Sequence, residues 1–295
     1  MSADARFAVM SRTTTPLGIV AGGGTLPGRV AAAARAGGRD VFIVALDSYA
    51  DPAVVSAFPH ETIRVGAVGA AIAALRAAGC RELVLAGPVK RPSLLDLRPD
   101  AVGAKLLARI GRAAFAGDDG LLAAIVRVLG EEGFTVIGAH EVIGEVLAPE
   151  GLLSTTAPDA AALADIARGV AVVLALGAAD VGQGAVVQQG IALAVEAVEG
   201  TDAMLARAAT LRRPGPGGVL VKLVKPGQDR RADLPTLGVK TVQGAVEAGL
   251  RGIAFEAGGA ILMDREAMTR AADAAGLFLL GIDPRAARWT EGRQS

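Results

Sequence analysis

The sequence predicts an α/β protein of two domains, an N-terminal Rossmann-like doubly wound parallel sheet and a C-terminal α/β domain with a mixed sheet. In the first half, short aliphatic runs alternate with Ala-rich helical segments, which is the rhythm of βαβ units. In the second half the apolar runs are longer, and two of them follow each other without a helix, which favours a mixed sheet. At 295 residues the chain is long enough for two domains, which we assign to residues 16–148 and 160–286.

Five runs rich in Val, Ile and Leu predict the strands of the first domain. Segments such as "RVAAAARAGG" and "AAIAALRAAG" lie between them and end in glycine, which is typical of a helix C-terminus. Two further helical segments precede the fifth strand. The five runs lie at 17–22, 40–47, 62–68, 82–87 and 134–140.

The second domain is predicted to begin after a connection rich in Pro, Ser and Thr at 148–165. A helix at 159–177 and the strand pair "AVVQQGIALAVEAV" follow it. The strand "GVLVKLV" then leads into a charged loop at 225–238, and "GIAFEAGGAILMD" at 252–264 predicts a hairpin. A helix and the strand "LFLLGID" complete the domain.

Composition excludes several classes of function. Thirty acidic and thirty basic residues cancel, and aromatic residues make up 3%, so we expect no nucleic-acid partner. Cys80 is the only cysteine and His60 and His140 are the only histidines, which argues against thiolate clusters, His-rich zinc sites and Ser-His-Asp triads. Chemistry by carboxylates, amides and cations remains, and it suits hard metal ions and phosphate oxygens.

The same patterns predict a cytoplasmic protein. The first 16 residues lack the apolar core of a secretory signal. The longest apolar stretches, such as residues 169–179, are too short for a membrane span.

The glycine-rich segment "AGGGTLPGRV" follows the first predicted strand and opens the first helix. Backbone N–H groups of Gly23, Gly24 and Thr25 are therefore candidates for phosphate binding. The dinucleotide fingerprint is broken, because Pro27 stands at its third glycine position, although Asp47 lies where a ribose-binding acid is expected. A tight glycine turn without a ligand is the alternative.

Lys90 and Arg91 follow the fourth strand, at the carboxyl edge where open α/β sheets bind ligands. They are candidates for binding an anionic group. A solvated basic turn explains them equally well.

Polar residues also follow the strand pair of the second domain. Glu196 lies near a strand end, and Thr201 and Asp202 begin the next helix, where an anion site or an ordinary helix cap is expected. Gln183, Gln188 and Gln189 are amides among aliphatic residues, an arrangement that is unfavourable unless each amide is hydrogen-bonded. Of these amides, we take Gln188 as a candidate substrate-binding residue.

The charged loop raises the clearest question, since it follows a buried strand. Prolines at 226 and 235 stiffen it, as a metal site requires, although a solvated turn is the simpler explanation. The candidate functional residues at its entry and within it are Lys222, Lys225, Gln228, Asp229 and Asp233.

Together these motifs resemble the LpxI-type UDP-2,3-diacylglucosamine pyrophosphatases of lipid A biosynthesis. The resemblance extends over nearly the whole chain after residue 16. It is carried by "AGGGTLP", "GPVKRPS", "GDDGLL", "ADVGQGAVVQQG", "VEAVEGTDAML", "VLVKLVKPGQDRRADLPTLGVKTV" and "GLFLLGID".

The resemblance implies hydrolysis of UDP-2,3-diacylglucosamine to lipid X (2,3-diacylglucosamine 1-phosphate) and UMP. It implies dependence on Mg²⁺ (with Mn²⁺ as a substitute), a site between the two domains, and a catalytic and acyl-binding C-terminal domain. Peripheral contact with the inner membrane and a homodimer are further expectations from the family.

Within this function, Asp229 and Asp233 are the expected catalytic and metal-binding carboxylates, and Lys225 the cation that offsets phosphate charge. Two other classes stay open on the residues alone. One is an NAD(P)-linked oxidoreductase, and the other is a non-catalytic nucleotide- or lipid-binding protein.

Overall fold

The structure, a computed structural model, describes residues 15–89, 97–110 and 118–286. Contacts within the chain divide it into two compact units. Of the described residues, the first comprises 15–89, 97–110 and 124–143, and the second comprises 118–123 and 144–286.

The first unit contains a five-stranded parallel sheet of order β3-β2-β1-β4-β5. This order is that of a Rossmann-like doubly wound sheet, as predicted. Its strands are β1 (Leu17–Ala21), β2 (Val41–Leu46), β3 (His60–Ile63), β4 (Glu82–Ala86) and β5 (Thr135–Val136). The helices that accompany them are α1 (Leu26–Ala36), α2 (Pro52–Val55), α3 (Val68–Ala77), α4 (Ala101–Ile110), α5 (Asp118–Glu131) and α6 (Ala139–Ile143). The first six residues of α5, 118–123, belong to the second unit.

The sequence explains why α1 starts immediately after β1. A proline in the first turn of α1 has a φ angle that suits a helix and lacks an N–H that would go unpaired there. Val30, Ala31 and Ala34 recur at helical spacing and are buried. The glycine turn between β1 and α1 therefore lies at the carboxyl edge of the sheet.

The second unit contains a six-stranded mixed sheet of order β6-β13-β11-β9-β7-β8, which confirms the predicted mixed sheet. The antiparallel pairs are β7 with β8, β7 with β9, and β6 with β13. Its strands are β6 (Gly151–Leu152), β7 (Gly184–Gln188), β8 (Ile191–Val195), β9 (Val219–Lys222), β11 (Gly252–Glu256) and β13 (Phe278–Ile282). The helices are α7 (Ala160–Ala178), α8 (Gly200–Ala209), α9 (Val239–Glu247) and α10 (Arg265–Ala274).

Each face of this sheet has its own apolar core. Side chains from α8, α9 and α10 pack with Leu220 and Phe255 on one face. Side chains of α7 pack with Val221 and Phe278 on the other. Both faces are buried, which explains why the central strands read as continuous apolar runs.

Helix α7 is the one helix in the described part of the chain that is long and apolar enough, by length and composition, to cross a membrane. The apolar stretch at 169–179, which we judged too short, forms the second half of this 19-residue helix. Ile166, Val170 and Val173 are nevertheless buried in the core of the second unit. That packing is what the core helix of a globular domain requires.

One local prediction for the second half was wrong. Residues 252–264 do not form a hairpin, because β11 lies between β9 and β13 and has no free edge. The strand that follows it, β12 (Ile261–Leu262), instead pairs in parallel with β10 (Thr236–Leu237). Residues 148–165, interpreted as a connection, are bound into the second unit, since β6 within them pairs with β13.

Candidate active site

Three predicted site residues meet at one edge of the six-stranded sheet. Glu196 directly follows β8, Thr201 lies in the first turn of α8, and Lys222 ends β9. The register of the sheet brings them together, because Gly184 of β7 pairs with Lys222 and accepts a 2.8 Å hydrogen bond from the Glu196 N–H. Residues 26 positions apart in sequence are thereby neighbours.

These residues, which we name the Glu196 cluster (Glu196, Thr201 and Lys222), form a closed network. The Lys222 ammonium lies 3.2 and 3.4 Å from the two oxygens of the Glu196 carboxylate. The Thr201 hydroxyl donates to Glu196 Oε1 at 2.6 Å and accepts from Lys222 Nζ. The side chains of Lys222 and Glu196 are only 5% and 8% exposed, so the ion pair is largely removed from water.

Glycines beside the cluster explain part of the "ADVGQG" motif. A Cβ at Gly182 would lie 1.9 Å from the main-chain oxygen of Glu196. A Cβ at Gly184 would lie 2.7 Å from Glu196 Oε2. Both positions therefore need glycine for Glu196 to approach β7, whatever ligand the site binds.

The charged loop is held in place by an ion pair and by hydrogen bonds of its own side chains. Lys225, which is nearly buried, forms an ion pair with Asp180 at 2.5 Å. The side-chain oxygen of Gln228 accepts the main-chain N–H of Lys225 at 3.0 Å. The side-chain nitrogen of Gln228 donates to Asp233 Oδ2 at 2.6 Å. The loop is thus held by specific contacts and is more than a solvated turn.

Asp229 is paired with Arg231. Its Oδ1 accepts from the main-chain N–H and the Nε of Arg231, both at 3.0 Å, and its Oδ2 accepts from the guanidinium at 2.7 Å. Arg231 therefore holds the pKa of the Asp229 carboxyl below its ordinary value. Asp229 is therefore a carboxylate at neutral pH, and while it is paired with Arg231 it is a weaker base than an unpaired aspartate.

A divalent cation fits this loop by the chemistry of its donors. In the described ranges no group of three or more His, Cys, Asp or Glu residues is placed to hold a metal. Mg²⁺ does not need such a group, since it commonly takes one or two carboxylates together with waters and substrate phosphates. Asp229 and Asp233 supply two hard carboxylates, but Arg231 has to leave Asp229 before its oxygens can coordinate an ion.

Two other predicted residues of the second unit already have protein partners. The Gln188 amide donates to the main-chain oxygens of Arg213 and Pro216 at 2.9 and 2.7 Å, and it accepts the N–H of Arg213. Asp202 is exposed and pairs with Lys240 at 2.5 Å, which raises the pKa of Lys240. Their predicted role in substrate binding stays a prediction.

The predicted residues of the first unit lie in the turn after β1. The Gly23 N–H donates to the main-chain oxygen of Pro88 at 2.9 Å, so this amide is already used inside the fold. Gly24 has a φ of +74°, and Thr25 is the exposed N-cap of α1. Lys90 and Arg91 lie outside the described residues.

Sequence reasoning missed two acidic residues that organise the site. Asp180 holds Lys225 from the turn after α7. Glu256 ends β11, accepts the N–H of Val224 at 3.0 Å and pairs with Arg230 at 2.6 Å. The only signal for Glu256 is its position at the end of a buried strand, and the pairing of Asp180 has no signal in the sequence.

Comparison with known proteins gives matches along almost the entire chain. Residues 16–146 match the family model described as the LpxI N-terminal domain, and residues 149–280 match the LpxI C-terminal domain. A protein of Caulobacter vibrioides named UDP-2,3-diacylglucosamine pyrophosphatase LpxI is 46% identical over 274 residues. That alignment covers 91% of this chain and 98% of the relative.

Proposed function

We propose that this chain, which belongs to the LpxI family, hydrolyses the pyrophosphate of UDP-2,3-diacylglucosamine to 2,3-diacylglucosamine 1-phosphate and UMP. The observation that carries the proposal is the match to both family domains together with the relative of that name. The chemistry at the sheet edge supports it, because buried lysines and carboxylates in one place suit a pyrophosphate and a divalent cation.

The proposed reaction is attack of water on the β-phosphorus of the pyrophosphate. The oxygen of water forms a bond to that phosphorus, the bond to the bridging oxygen breaks, and UMP leaves with the bridging oxygen. Negative charge grows on the phosphate oxygens during this step, so fixed cations and helix N-termini nearby lower the barrier. Lys225 and Lys222 are the proposed cations, and Thr201 at the start of α8 is a proposed phosphate contact.

Asp229 is the proposed principal carboxylate, with Asp233 as its partner. Asp229 is ionised at neutral pH and has two acceptor oxygens to orient the attacking water, and release of Arg231 would restore its basicity so that it can accept the proton. Gln228 holds both Lys225 and Asp233, which keeps the loop in one conformation. Mg²⁺, with Mn²⁺ as a substitute, is the proposed cofactor, and when bound it neutralises phosphate oxygens and lowers the pKa of water.

The remaining proposed contacts to substrate come from both units. They are assigned from the motifs, and each needs its own test. They are Gly23, Gly24, Thr25, Lys90, Arg91, Gln188, Glu196 and Asp202.

We also propose peripheral contact with the membrane that holds the substrate, because two acyl chains keep a sugar nucleotide in a bilayer. The homodimer expected from the family stays a proposal. Co-sedimentation with anionic vesicles tests the first, and light scattering of the purified protein tests the second.

The decisive experiment is incubation of the purified protein with UDP-2,3-diacylglucosamine and Mg²⁺, followed by detection of UMP and the diacyl sugar phosphate. Equimolar release of the two products is expected. In water labelled with ¹⁸O, the label should appear in the diacyl sugar phosphate and not in UMP. Binding of substrate without turnover would refute the proposal and leave a binding protein, and stabilisation by NAD(P) would point to the oxidoreductase class.

A further inference from the structure

Gln183 lies at the site edge and has no role in the reaction described so far. Its main-chain oxygen accepts the N–H of Leu223 at 3.0 Å, which fixes it to the end of β9 one residue after Lys222. On its other side Gly182 packs against the main chain of Glu196. Gln183 is therefore held in the sheet between the Glu196 cluster and the start of the charged loop.

The side chain of Gln183 faces away from the Glu196 cluster. Side chains alternate along a strand, and Gly184 is the residue whose Cβ would point at the Glu196 carboxylate. Gln183 and its cross-strand neighbour Leu223 thus lie on the opposite face, which α7 covers. The end of α7 and the start of the charged loop meet on that side, where a Cβ at Gly177 would lie 2.8 Å from Pro226 and 3.3 Å from Lys225.

The side-chain oxygen of Gln183 is buried and has no hydrogen-bond partner within the described part of the chain. Gln188, the last residue of β7, makes three hydrogen bonds through its amide, whereas Gln183 directly precedes that strand. The other side-chain atoms in the same condition are Thr15 Oγ1, Arg39 Nη2, His140 Nδ1 and Arg251 Nε. Among these residues Gln183 is the one whose main chain lies between the Glu196 cluster and the start of the charged loop, and its side-chain oxygen is purely an acceptor.

A buried acceptor without a donor costs folding free energy, and such groups in native proteins call for an explanation. The ionised pyrophosphate and the hydrocarbon of the acyl chains offer no hydrogen-bond donors. The polar remainder of the substrate does offer them, in the N3–H of uracil, in the hydroxyls of the ribose and the glucosamine, and in the amide N–H at C2 of the glucosamine.

We propose that Gln183 is a substrate-binding residue whose side-chain oxygen accepts a hydrogen bond from an N–H or O–H group of the UDP-sugar part of the substrate. This inference rests on the proposed function and adds a residue that fixes specificity for the polar part of the substrate. This hydrogen bond is made in both the ground state and the transition state. Its loss should therefore raise KM and leave kcat within about threefold of the wild-type value.

The test is the substitution Gln183→Met, which keeps the length of the side chain and removes the acceptor. If the oxygen serves only the ligand, the melting temperature of the free protein should be unchanged or higher, because an unsatisfied buried group has been removed. At the same time kcat/KM for UDP-2,3-diacylglucosamine should fall by at least about tenfold, since a donor of the substrate is left unpaired.

Gln188→Met is the matched control for stability. It removes an amide with three protein partners, so its melting temperature should fall by about 4 °C or more. Binding of UMP to Gln183→Met, measured by calorimetry, locates the donor. Weakened UMP binding assigns it to the uridine half, whereas unchanged UMP binding with a raised KM assigns it to the glucosamine half.

A fall in stability like that of Gln188→Met would overturn the inference, because the oxygen would then be satisfied by the protein or by fixed water. Unchanged KM and unchanged UMP binding would overturn it as well. Either result leaves the proposed function unaffected if the wild-type protein hydrolyses the substrate. Absence of turnover by the wild-type protein instead refutes the proposed function.

Discussion

Replacement of Glu196 by glutamine tests whether the Glu196 cluster is the buried ion pair that its geometry indicates. The substitution keeps the size of the side chain and removes its negative charge. Lys222 is then left 5% exposed with neutral acceptors and no opposite charge in the cluster. Leaving one partner of a buried pair uncompensated costs about 3–5 kcal/mol. For a domain of this size, that corresponds to a fall in melting temperature of about 6–20 °C.

Thermal and urea unfolding followed by circular dichroism measure the effect. Glu199→Gln is the matched control, because Glu199 pairs with Arg207 at the surface, with side chains 29% and 46% exposed. Such a pair contributes about 0.2–1 kcal/mol. The double variant Glu196→Gln/Lys222→Met removes both charges and should recover much of the loss. If Glu196→Gln is no less stable than Glu199→Gln, the cluster is open to water and the reasoning fails.

Four further predictions concern the proposed reaction. Asp229→Ala should fold and bind substrate but lose at least about 10²-fold in kcat. Glu266→Ala, at an exposed position on α10, is the control. Turnover by Asp229→Ala near the wild-type rate would place the site elsewhere. In the metal-free protein Arg231 lowers the pKa of Asp229, so the carboxylate is lost only as pH falls through that lowered value. Arg231→Met should therefore raise the pKa of Asp229 in a carboxyl NMR titration without Mg²⁺, and an unchanged titration contradicts this. EDTA should abolish activity and Mg²⁺ or Mn²⁺ restore it, whereas full activity in chelator excludes a metal requirement. UDP-N-acetylglucosamine, which lacks the acyl chains, should have a much lower kcat/KM than the diacyl substrate, and equal values would refute a contribution of acyl binding to catalysis.

The sequence predicted the fold well where the strands are central and buried. The runs that became β1, β2 and β4 are apolar on both faces, and their lengths match the predictions closely. Edge strands were less predictable, because exposed strands carry polar residues. The strand β3 begins at His60, earlier than the apolar run, and its first three residues are exposed. The hairpin at 252–264 failed because pairing in a sheet depends on which edges are free, and local sequence does not contain that information.

The sequence singled out three residues that the structure brings together, but it did not predict how they are arranged. Glu196, Thr201 and Lys222 were each singled out for lying at a strand end or helix start, which is where sheet proteins place functional groups. Their closure into one network depends on the antiparallel register of β7 and β9, which no local pattern gives. Asp180 was missed for the same reason, since a turn after α7 delivers it to Lys225.

The contacts of the charged loop explain why so many charged residues follow a buried strand. A solvated turn would leave its side chains to water, whereas here Lys225 pairs with Asp180, Arg230 with Glu256 and Arg231 with Asp229. Pairs that include a nearly buried lysine fix the backbone as well as balance charge. A loop braced in this way keeps its carboxylates in place at little entropic cost when a ligand arrives. The Asp229–Arg231 pair is the exception, because it is local to the loop and half-exposed on the arginine side. It is therefore the contact that binding of a cation or a phosphate would exchange most readily.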